Sequence, residues 1–297
     1  MKINRVYKVF FSPTGTTEKV VTAISDGMAQ NLSCQTEAFD FTLPQARTGS
    51  DSEDSFPKLS PEDLVVFGCP TYAGRLPNLL LKYLHTIRGN EALAVPVVTF
   101  GNRNFDNSLI ELRDLLQDQE FHTVAAAACS CEHSFSQTLG AGRPDAADLA
   151  EIRAFAAQAA EKILHTENNL PSVQVPGISS EDDHGGYYQP RDRHGVFIDI
   201  RKVKPLTDRN RCLTFSGSLS DMAGQDTGHC SMCAAVCPMG AIDPSDISQV
   251  PGICIKCGAC IKKCPAQAKY YDDPGYLYHK TELEEMYTRR AENSFFL

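Results

Sequence analysis

Cysteines near the C-terminus recur with a spacing that suits iron-sulfur chemistry. The stretch 254–265 reads Cys-x2-Cys-x2-Cys-x3-Cys-Pro, and the stretch 27 positions earlier has cysteine at each corresponding position except Thr227. In such a run the first three thiolates bind one cluster, and the cysteine before proline binds the cluster held by the other copy. The sequence therefore predicts two interlocked 4Fe-4S clusters.

One of the two clusters lacks a ligand within the repeat. The ligands predicted for the second cluster are Cys237, Cys254, Cys257 and Cys260, and those for the first are Cys230, Cys233, Cys264 and a residue from elsewhere. Threonine is a poor ligand, and the nearest spare thiol is Cys212, so we expect Cys212 to close the first cluster. Residues 213–229 then form a surface-loop insertion, since loop-closure entropy grows slowly with length. A three-iron cluster without that corner, or a ligand from water, Thr227 or another cysteine, stays open.

Two other uses of cysteine fit these residues less well. Structural zinc does not call for proline after the last cysteine or for three thiols at consecutive x2 spacing. Disulfides need an oxidising compartment, and the N-terminus does not resemble an export signal. The remaining thiols lie in apolar runs or just beyond them, where a free cysteine is usually a small buried hydrophobe. They are Cys34, Cys69, Cys129 and Cys131.

The first 165 residues alternate apolar strands with amphipathic helices. Strands are predicted at 6–11, 36–41, 64–69, 95–100 and 124–129, and helices at 16–31, 77–88, 106–118 and 145–165. This alternation predicts an α/β fold with a doubly wound, parallel, five-stranded sheet. In a sheet of order 2-1-3-4-5, ligands bind at the C-terminal strand ends, where strands 1 and 3 meet.

Three of these strand ends carry residues that suit a flat, anionic ligand. The first strand leads into Ser-Pro-Thr-Gly-Thr-Thr at 12–17, and hydroxyls with amide hydrogens at a helix N-terminus bind phosphate. The loop is neither a Walker loop nor GxGxxG, and a well-capped helix start is the alternative. The loops at 70–74 and 101–106 follow the third and fourth strands, so we expect them to face the phosphate loop.

These three loops resemble those of flavodoxins, whose Ser/Thr-x-Thr-Gly-x-Thr loop binds the phosphate of flavin mononucleotide (FMN). The resemblance implies that the phosphate is held by Ser12, Thr14, Gly15, Thr16 and Thr17. It implies that the flavin ring is flanked by Pro70, Thr71, Tyr72, Ala73 and Gly74, and by Gly101, Asn102, Arg103, Phe105 and Asp106. Tyr72 is the expected stacking aromatic. The chain contains no tryptophan, so the other face of the ring is open or covered differently.

The whole chain resembles a family of anaerobic bacterial proteins that fuse a flavodoxin domain to a bacterial-type two-cluster ferredoxin domain. The matching stretches are 12–17, 68–77, 101–103, 132–136, 142–145 and 204–208 leading to Cys212. The resemblance implies that Cys212 is the first ligand of the first cluster, while the insertion at 213–229 departs from the family pattern. The chain then divides into a flavodoxin-like domain (1–168), a linker (169–204), a small α+β ferredoxin-like domain (205–275) and a C-terminal helix or tail (276–297).

Three further segments carry weaker signals. Glu132–Ser136 follows the fifth strand; His133 could donate a proton there, but a packing loop is favoured and no catalytic residue is predicted. In the polar linker, Tyr187 and Tyr188 are expected to pack at the domain junction. A surface helix is predicted at Thr281–Arg290, with Thr281 as its cap.

Charge and hydropathy limit the partners. A formal net charge of -9 argues against nucleic acid and favours a redox partner protein with a basic patch. No stretch of 18 apolar residues predicts membrane insertion, so a soluble cytoplasmic protein is expected, most easily in an organism that lives without oxygen.

The combination of groups suggests electron transfer. A cluster carries one electron and a flavin one or two. The sequence thus predicts an electron-transfer flavo-iron-sulfur protein that links two low-potential clusters, FMN and a redox partner. The alternative is an FMN-dependent reductase that uses cluster-delivered electrons to reduce a small-molecule acceptor. A third possibility is a redox sensor or assembly protein.

Overall fold

The computed structural model describes residues 2–47, 56–166, 170–179, 186–216 and 230–297. The chain forms two compact units. The first comprises Met1–Tyr188 together with Tyr287–Leu297, and the second comprises Gln189–Met286. The domain boundaries predicted above at 168, 204 and 275 stay a prediction. None of the helices in the described ranges has the length and apolar character needed to cross a membrane.

Nine strands and eight helices are labelled here in chain order within those ranges. They are β1 (Arg5–Phe10), α1 (Thr16–Leu32), β2 (Gln35–Asp40), β3 (Asp63–Pro70), α2 (Asn78–Leu84), β4 (Leu93–Phe100), α3 (Ser108–Asp118), β5 (His122–Thr123), β6 (Ala126–Ser130), α4 (Ala146–His165), β7 (Leu206–Thr207), α5 (Leu213–Ser216), α6 (Met232–Ala235), α7 (Ala259–Lys262), β8 (Lys269–Tyr270), α8 (Pro274–Met286) and β9 (Ser294–Phe296).

The first unit is built on a mostly parallel sheet of order β2-β1-β3-β4-β6. This confirms the predicted order 2-1-3-4-5, with β6 as the fifth strand, and it is the flavodoxin-like order of a doubly wound sheet. Strands β3 and β4 are apolar almost throughout and are buried on both faces, as central parallel strands are. The edge strand β2 is largely exposed.

Helices α1 and α4 cover one face of this sheet. Val20, Ile24 and Met28 of α1 share a buried core with Phe155 of α4, and truncation of such an aromatic costs about 3–5 kcal/mol. A side chain at Gly27 would bring its Cβ 2.8 Å from the Cβ of Ala156, so the absence of one lets the helices approach closely.

Two features at the C-terminal end differ from the sequence prediction. The predicted helix Thr281–Arg290 is wrong at both ends, because α8 begins at Pro274 and ends at Met286. Asp273 sets the start: its carboxylate accepts a hydrogen bond from the amide of Tyr276 at 2.9 Å. Beyond the helix, β9 returns to the first unit and pairs antiparallel with β6, a strand that was not predicted.

The second unit consists of short helices and the two-stranded antiparallel sheet β7-β8. Helices α6 and α7 lie at equivalent positions of the 27-residue repeat. Its buried core contains three cysteines beside three aliphatic residues: Cys212, Cys233, Cys260, Ile242, Ile247 and Ala268. A core so small and so rich in thiols gives limited hydrophobic stabilisation, as in domains that depend on bound metal.

Candidate functional site

The loop between β1 and α1 has the geometry of an anion site. Gly15 precedes the helix with φ 89°, a left-handed conformation that glycine adopts without strain, and nothing lies within 4 Å of the position of an added Cβ. The first amide hydrogens of α1 have no partner within the helix and lie at its positive end. Thr14, Gly15 and Thr16 are partly exposed, so they are accessible to a ligand.

Ser12 and Thr17 are turned inward and hold this loop in place. The hydroxyl of Ser12 accepts a hydrogen bond from the amide of Glu18 at 2.9 Å, and the amide of Ser12 donates to the hydroxyl of Thr42 at 2.7 Å. The hydroxyl of Thr17 lies 2.8 Å from that of Thr99. Of the five predicted phosphate residues, these two therefore contact the protein interior and three are left at the surface.

The loop after β3 forms a tight turn beside the loop after β4. Tyr72 and Arg75 exchange backbone hydrogen bonds of 2.8 and 3.1 Å. The central residues Ala73 and Gly74 both have positive φ, as in a type I′ turn. The predicted flanking residue Pro70 is the last of β3, and Thr71 follows it, with an amide that donates to the carbonyl oxygen of Thr99 in β4 at 2.7 Å.

The two loops are in direct contact. A Cβ on Gly74 would lie 2.6 Å from the carboxylate of Asp106, and the amide of Asn107 donates to the carbonyl oxygen of Gly74 at 3.1 Å. Asp106 also forms an ion pair with Arg103. Phe105 packs on Phe100, with the ring centroids 5.6 Å apart. The two loops predicted to flank a flavin ring are thus adjacent at the carboxyl end of the sheet.

Asn102 is the exception within this loop, because its side chain points into the protein. It is 6% exposed, and its amide nitrogen donates to the carbonyl oxygens of Tyr287 and Arg289, each at 2.8 Å. Its amide oxygen accepts from the backbone amide of Ala291 at 3.0 Å. The side chain is committed to the C-terminal segment, and only the backbone of Asn102 remains to face a ligand.

A buried ion pair that was not predicted supports this C-terminal segment. The guanidinium of Arg143 donates two hydrogen bonds to Asp148, at 3.0 and 2.6 Å, and a third to the carbonyl oxygen of Ala291 at 2.7 Å. Burial opposes ionisation of Asp148, but hydrogen bonds from Arg143, the amide of Asp145 and Asn293, with the charge of Arg143, together outweigh burial and hold the pKa of this carboxyl below its ordinary value. Arg290 adds a second cation, 2.8 Å from Asp148.

A fourth loop brings a histidine against the loop after β4. A Cβ on Gly101 would lie 2.1 Å from Cδ2 of His133, so the imidazole packs directly on this glycine. The Nδ1 atom of His133 accepts a hydrogen bond from the amide of Phe135 at 3.0 Å. The neutral ring therefore carries its proton on Nε2.

In the second unit, the two copies of the repeat have matching local structure. Gly240 and Gln267, 27 positions apart, both have positive φ. The sulfur of Cys237 accepts a hydrogen bond from the amide of Ala241 at 3.2 Å, and the sulfur of Cys264 accepts one from the amide four residues further on at 3.3 Å. The two copies thus present their last cysteines in the same way.

The cysteines of this unit line two cavities. The first is bordered by Cys212, Cys230, Cys233 and Cys264. The second is bordered by Cys237, Cys254, Cys257 and Cys260. The last cysteine of each copy lies at the cavity of the other copy. Thr227 and residues 217–229 of the insertion lie outside the described residues.

In the described part of the chain, no group of three His, Cys, Asp or Glu side chains is arranged to hold a metal ion. Burial raises the pKa of the Cys257 thiol to about 12, so a thiolate there needs positive charge beside it. A metal cluster provides such charge.

Comparison with known proteins gives structural likeness alone. No family model matches the chain, and no curated protein matches it. A flavodoxin from the domain Archaea is 14% identical, with 56% of this chain and 100% of that chain covered and a TM-score of 0.36. A flavodoxin from Streptococcus pneumoniae TIGR4 is 17% identical, with 54% of this chain and 99% of that chain covered and a TM-score of 0.35. The apo form of an NADH:FMN oxidoreductase, EMOB, is 14% identical, with 56% of this chain and 91% of that chain covered and a TM-score of 0.39. The flavodoxin-like fold of the first unit rests on its strand order.

Proposed function

We propose that this chain is an electron-transfer flavo-iron-sulfur protein that passes electrons between two low-potential 4Fe-4S clusters, FMN and a redox partner. One observation carries the proposal: eight cysteines surround two cavities in sets of four, and Cys237 and Cys264 each lie at the cavity of the other repeat. In two-cluster ferredoxins of the bacterial type, the last cysteine of each repeat likewise binds the cluster held by the other repeat. The resemblance to flavodoxin-ferredoxin fusions supports the same conclusion.

The spacing of the cysteines favours clusters over zinc. Structural zinc does not call for three thiols at consecutive x2 spacing or for a proline after the last cysteine, and both features are present in this chain. Backbone amides donate to the sulfurs of Cys237 and Cys264, and such hydrogen bonds are among the factors that set a cluster's reduction potential. Cys212 occupies the place of Thr227 in the first set, which supports its assignment as the fourth ligand.

FMN is the proposed ligand of the first unit. Thr14, Gly15 and Thr16 would bind its phosphate at the start of α1, in a loop that Ser12 and Thr17 fix. The turn at 72–75 and the loop at 101–106 would border the ring, since they meet at the carboxyl end of the sheet. Bound FMN would accept or give one or two electrons, so two clusters that each lose one electron could together reduce it.

The partner and location are part of the proposal. A net charge of -9 favours a partner protein with a basic patch, through electrostatic steering. A cytoplasmic location agrees with twelve cysteines in a chain for which the structure gives no disulfide among the described residues.

Composition after anaerobic reconstitution tests the proposal. We expect about eight irons, a matching amount of sulfide and one FMN per chain. The variant Cys257→Ala should lose iron, whereas Cys34→Ala, which removes a thiol of the first unit, should retain it. Protein that takes up zinc and shows no flavin absorbance contradicts the proposal.

A second candidate is an FMN-dependent reductase, and His133 favours it. Its ring packs on Gly101 of the loop after β4, and the N–H at Nε2 would donate a hydrogen bond that polarises an acceptor bound beside the flavin. If this candidate is correct, the reduced protein should turn over a quinone or nitro compound, and His133→Asn should lower kcat about 100-fold with FMN affinity unchanged. Absence of turnover with such acceptors leaves electron transfer as the function.

A further inference from the structure

Tyr188 is held against the proposed flavin site although it lies in the polar linker. Its backbone amide donates a hydrogen bond to the carbonyl oxygen of Ala73 at 2.8 Å. Ala73 is an exposed residue at the tip of the turn after β3, in the loop expected to border the flavin ring. The linker residue is therefore attached to this loop by its backbone.

The ring of Tyr188 is oriented by the neighbouring loop. The guanidinium of Arg103 lies 4.6 Å from the ring centroid, within the range of a cation–π interaction. Arg103 is itself paired with Asp106, whose carboxylate packs on Gly74. Tyr188 thus connects the loop after β3, through its backbone amide, with the loop after β4, through its ring.

The preceding residue reinforces this position. The hydroxyl of Tyr187 donates to the carbonyl oxygen of Leu76 at 2.8 Å, and Arg75 lies 5.8 Å from its ring centroid. Burial raises the pKa of Tyr187 to about 12, so this hydroxyl stays a donor at neutral pH. Tyr187 acts as the anchor, while Tyr188 beside it remains 41% exposed.

From these contacts we propose that Tyr188 forms one wall of the flavin-ring site, with Arg103 fixing its orientation. The inference rests on the proposed function, because it requires FMN in the first unit. The chain has no tryptophan, so an aromatic ring for this wall must come from tyrosine or phenylalanine. A flat aromatic ligand packs favourably on an exposed, oriented aromatic ring. The site is then completed by a residue that lies far along the chain from the three strand-end loops.

FMN binding to the full-length chain tests this role. Fluorescence titration of the flavin-free protein with FMN should show that Tyr188→Ala raises the Kd about tenfold, whereas Tyr188→Phe stays within about twofold of the wild type. Tyr188→Leu keeps apolar bulk without the ring and should resemble the alanine variant. Tyr270→Ala is the matched control, since Tyr270 has the same exposed fraction of 41% but lies in the second unit.

The outcomes separate this inference from the proposed function. Wild-type protein that binds FMN together with unchanged Kd values for Tyr188→Ala and Tyr188→Leu overturns the role of Tyr188 and leaves the proposed function standing. Wild-type protein that binds no FMN overturns both. Quenching of bound-flavin fluorescence gives a second readout: Tyr188→Leu should brighten the bound flavin, and equal brightness in the wild type and this variant contradicts the inference.

Discussion

The side-chain amide of Asn102 donates a hydrogen bond to the carbonyl oxygen of Tyr287 at 2.8 Å. Tyr287 is the first residue after the second unit, and Tyr188 is the last residue before it. Arg103, the neighbour of Asn102, contacts the ring of Tyr188. Both points at which the chain leaves and re-enters the first unit are therefore fixed by adjacent residues of one loop, the loop expected to border the flavin.

Removal of the Asn102 side chain should destabilise the first unit. Asn102→Ala removes the two part-buried hydrogen bonds to the carbonyl oxygens of Tyr287 and Arg289, each worth about 1 kcal/mol, and leaves the buried amide of Ala291 without its acceptor, which costs about 1–3 kcal/mol. We expect the free energy of unfolding in urea to fall by about 3 kcal/mol. The control Asn31→Ala, on the exposed surface of α1, should change it by less than about 0.5 kcal/mol. A loss below about 1 kcal/mol for Asn102→Ala contradicts this account.

The free energy of unfolding should also depend on pH, because folding favours the ionised form of Asp148. Its pKa is lowered in the folded protein, so its contribution is fully present above the unfolded value of about 3.9 and is lost as the pH falls through the folded pKa. Asp148→Asn should lower the free energy of unfolding by about 3 kcal/mol at pH 7, because Arg143 stays buried without its carboxylate.

Denaturation at several pH values measures this dependence. The difference between the wild type and Asp148→Asn should narrow below about pH 4, since the wild type then loses the same charge. The control Asp118→Asn, at the exposed end of α3, should have the same free energy of unfolding as the wild type at every pH measured. If the free energies of unfolding of the wild type and Asp148→Asn differ by the same amount from pH 7 to pH 3, the ion pair does not cause the lower stability of the variant.

The start of α1 should recognise the phosphate and not the ring. Thr16→Ala removes an exposed hydroxyl beside Gly15, and a hydrogen bond to a charged group is worth about 1.5–3 kcal/mol. We expect the Kd for FMN to rise at least about tenfold and the Kd for riboflavin, which lacks the phosphate, to be unchanged. Thr22→Ala, further along the same helix, is the control. Equal weakening of both ligands contradicts a phosphate role for this loop.

Cys212 should be a ligand of the first cluster although it stands outside the repeat. Cys212→Ala is expected to lower the iron content and to give a three-iron signal in electron paramagnetic resonance, because one corner of the cluster loses its thiolate. Cys34→Ala should leave the iron content and the spectrum as in the wild type. An unchanged reduced four-iron spectrum in Cys212→Ala removes this residue from the ligand set.

The parallel sheet could be predicted because its signals are local. Unbroken apolar runs mark β3 and β4, which the structure places within one or two residues of their predicted bounds. The predicted helix at 145–165 is α4, Ala146–His165. For α8 a signal existed, since the pair Asp273-Pro274 combines a capping residue with a proline at the first helical position. The prediction instead placed the cap at Thr281, which lies inside the helix.

The site was less predictable, because its contacts join residues far apart in the chain. Nothing local to Asn102 indicates that its amide binds Tyr287, 185 residues further on. Nothing local to Ser294–Phe296 marks three residues as an edge strand on β6, because so short a segment shows no periodicity. The direction of the Thr17 hydroxyl, inward and not toward a ligand, likewise depends on Thr99 of β4, 82 residues further along the chain.

An anaerobic reductive titration of the reconstituted protein tests the central proposal most directly. Two clusters that take up one electron each and one FMN that takes up two predict about four electrons per chain, with loss of both cluster and flavin absorbance. Uptake of about two electrons with flavin bleaching alone, or no uptake by a protein that contains zinc, would contradict the account.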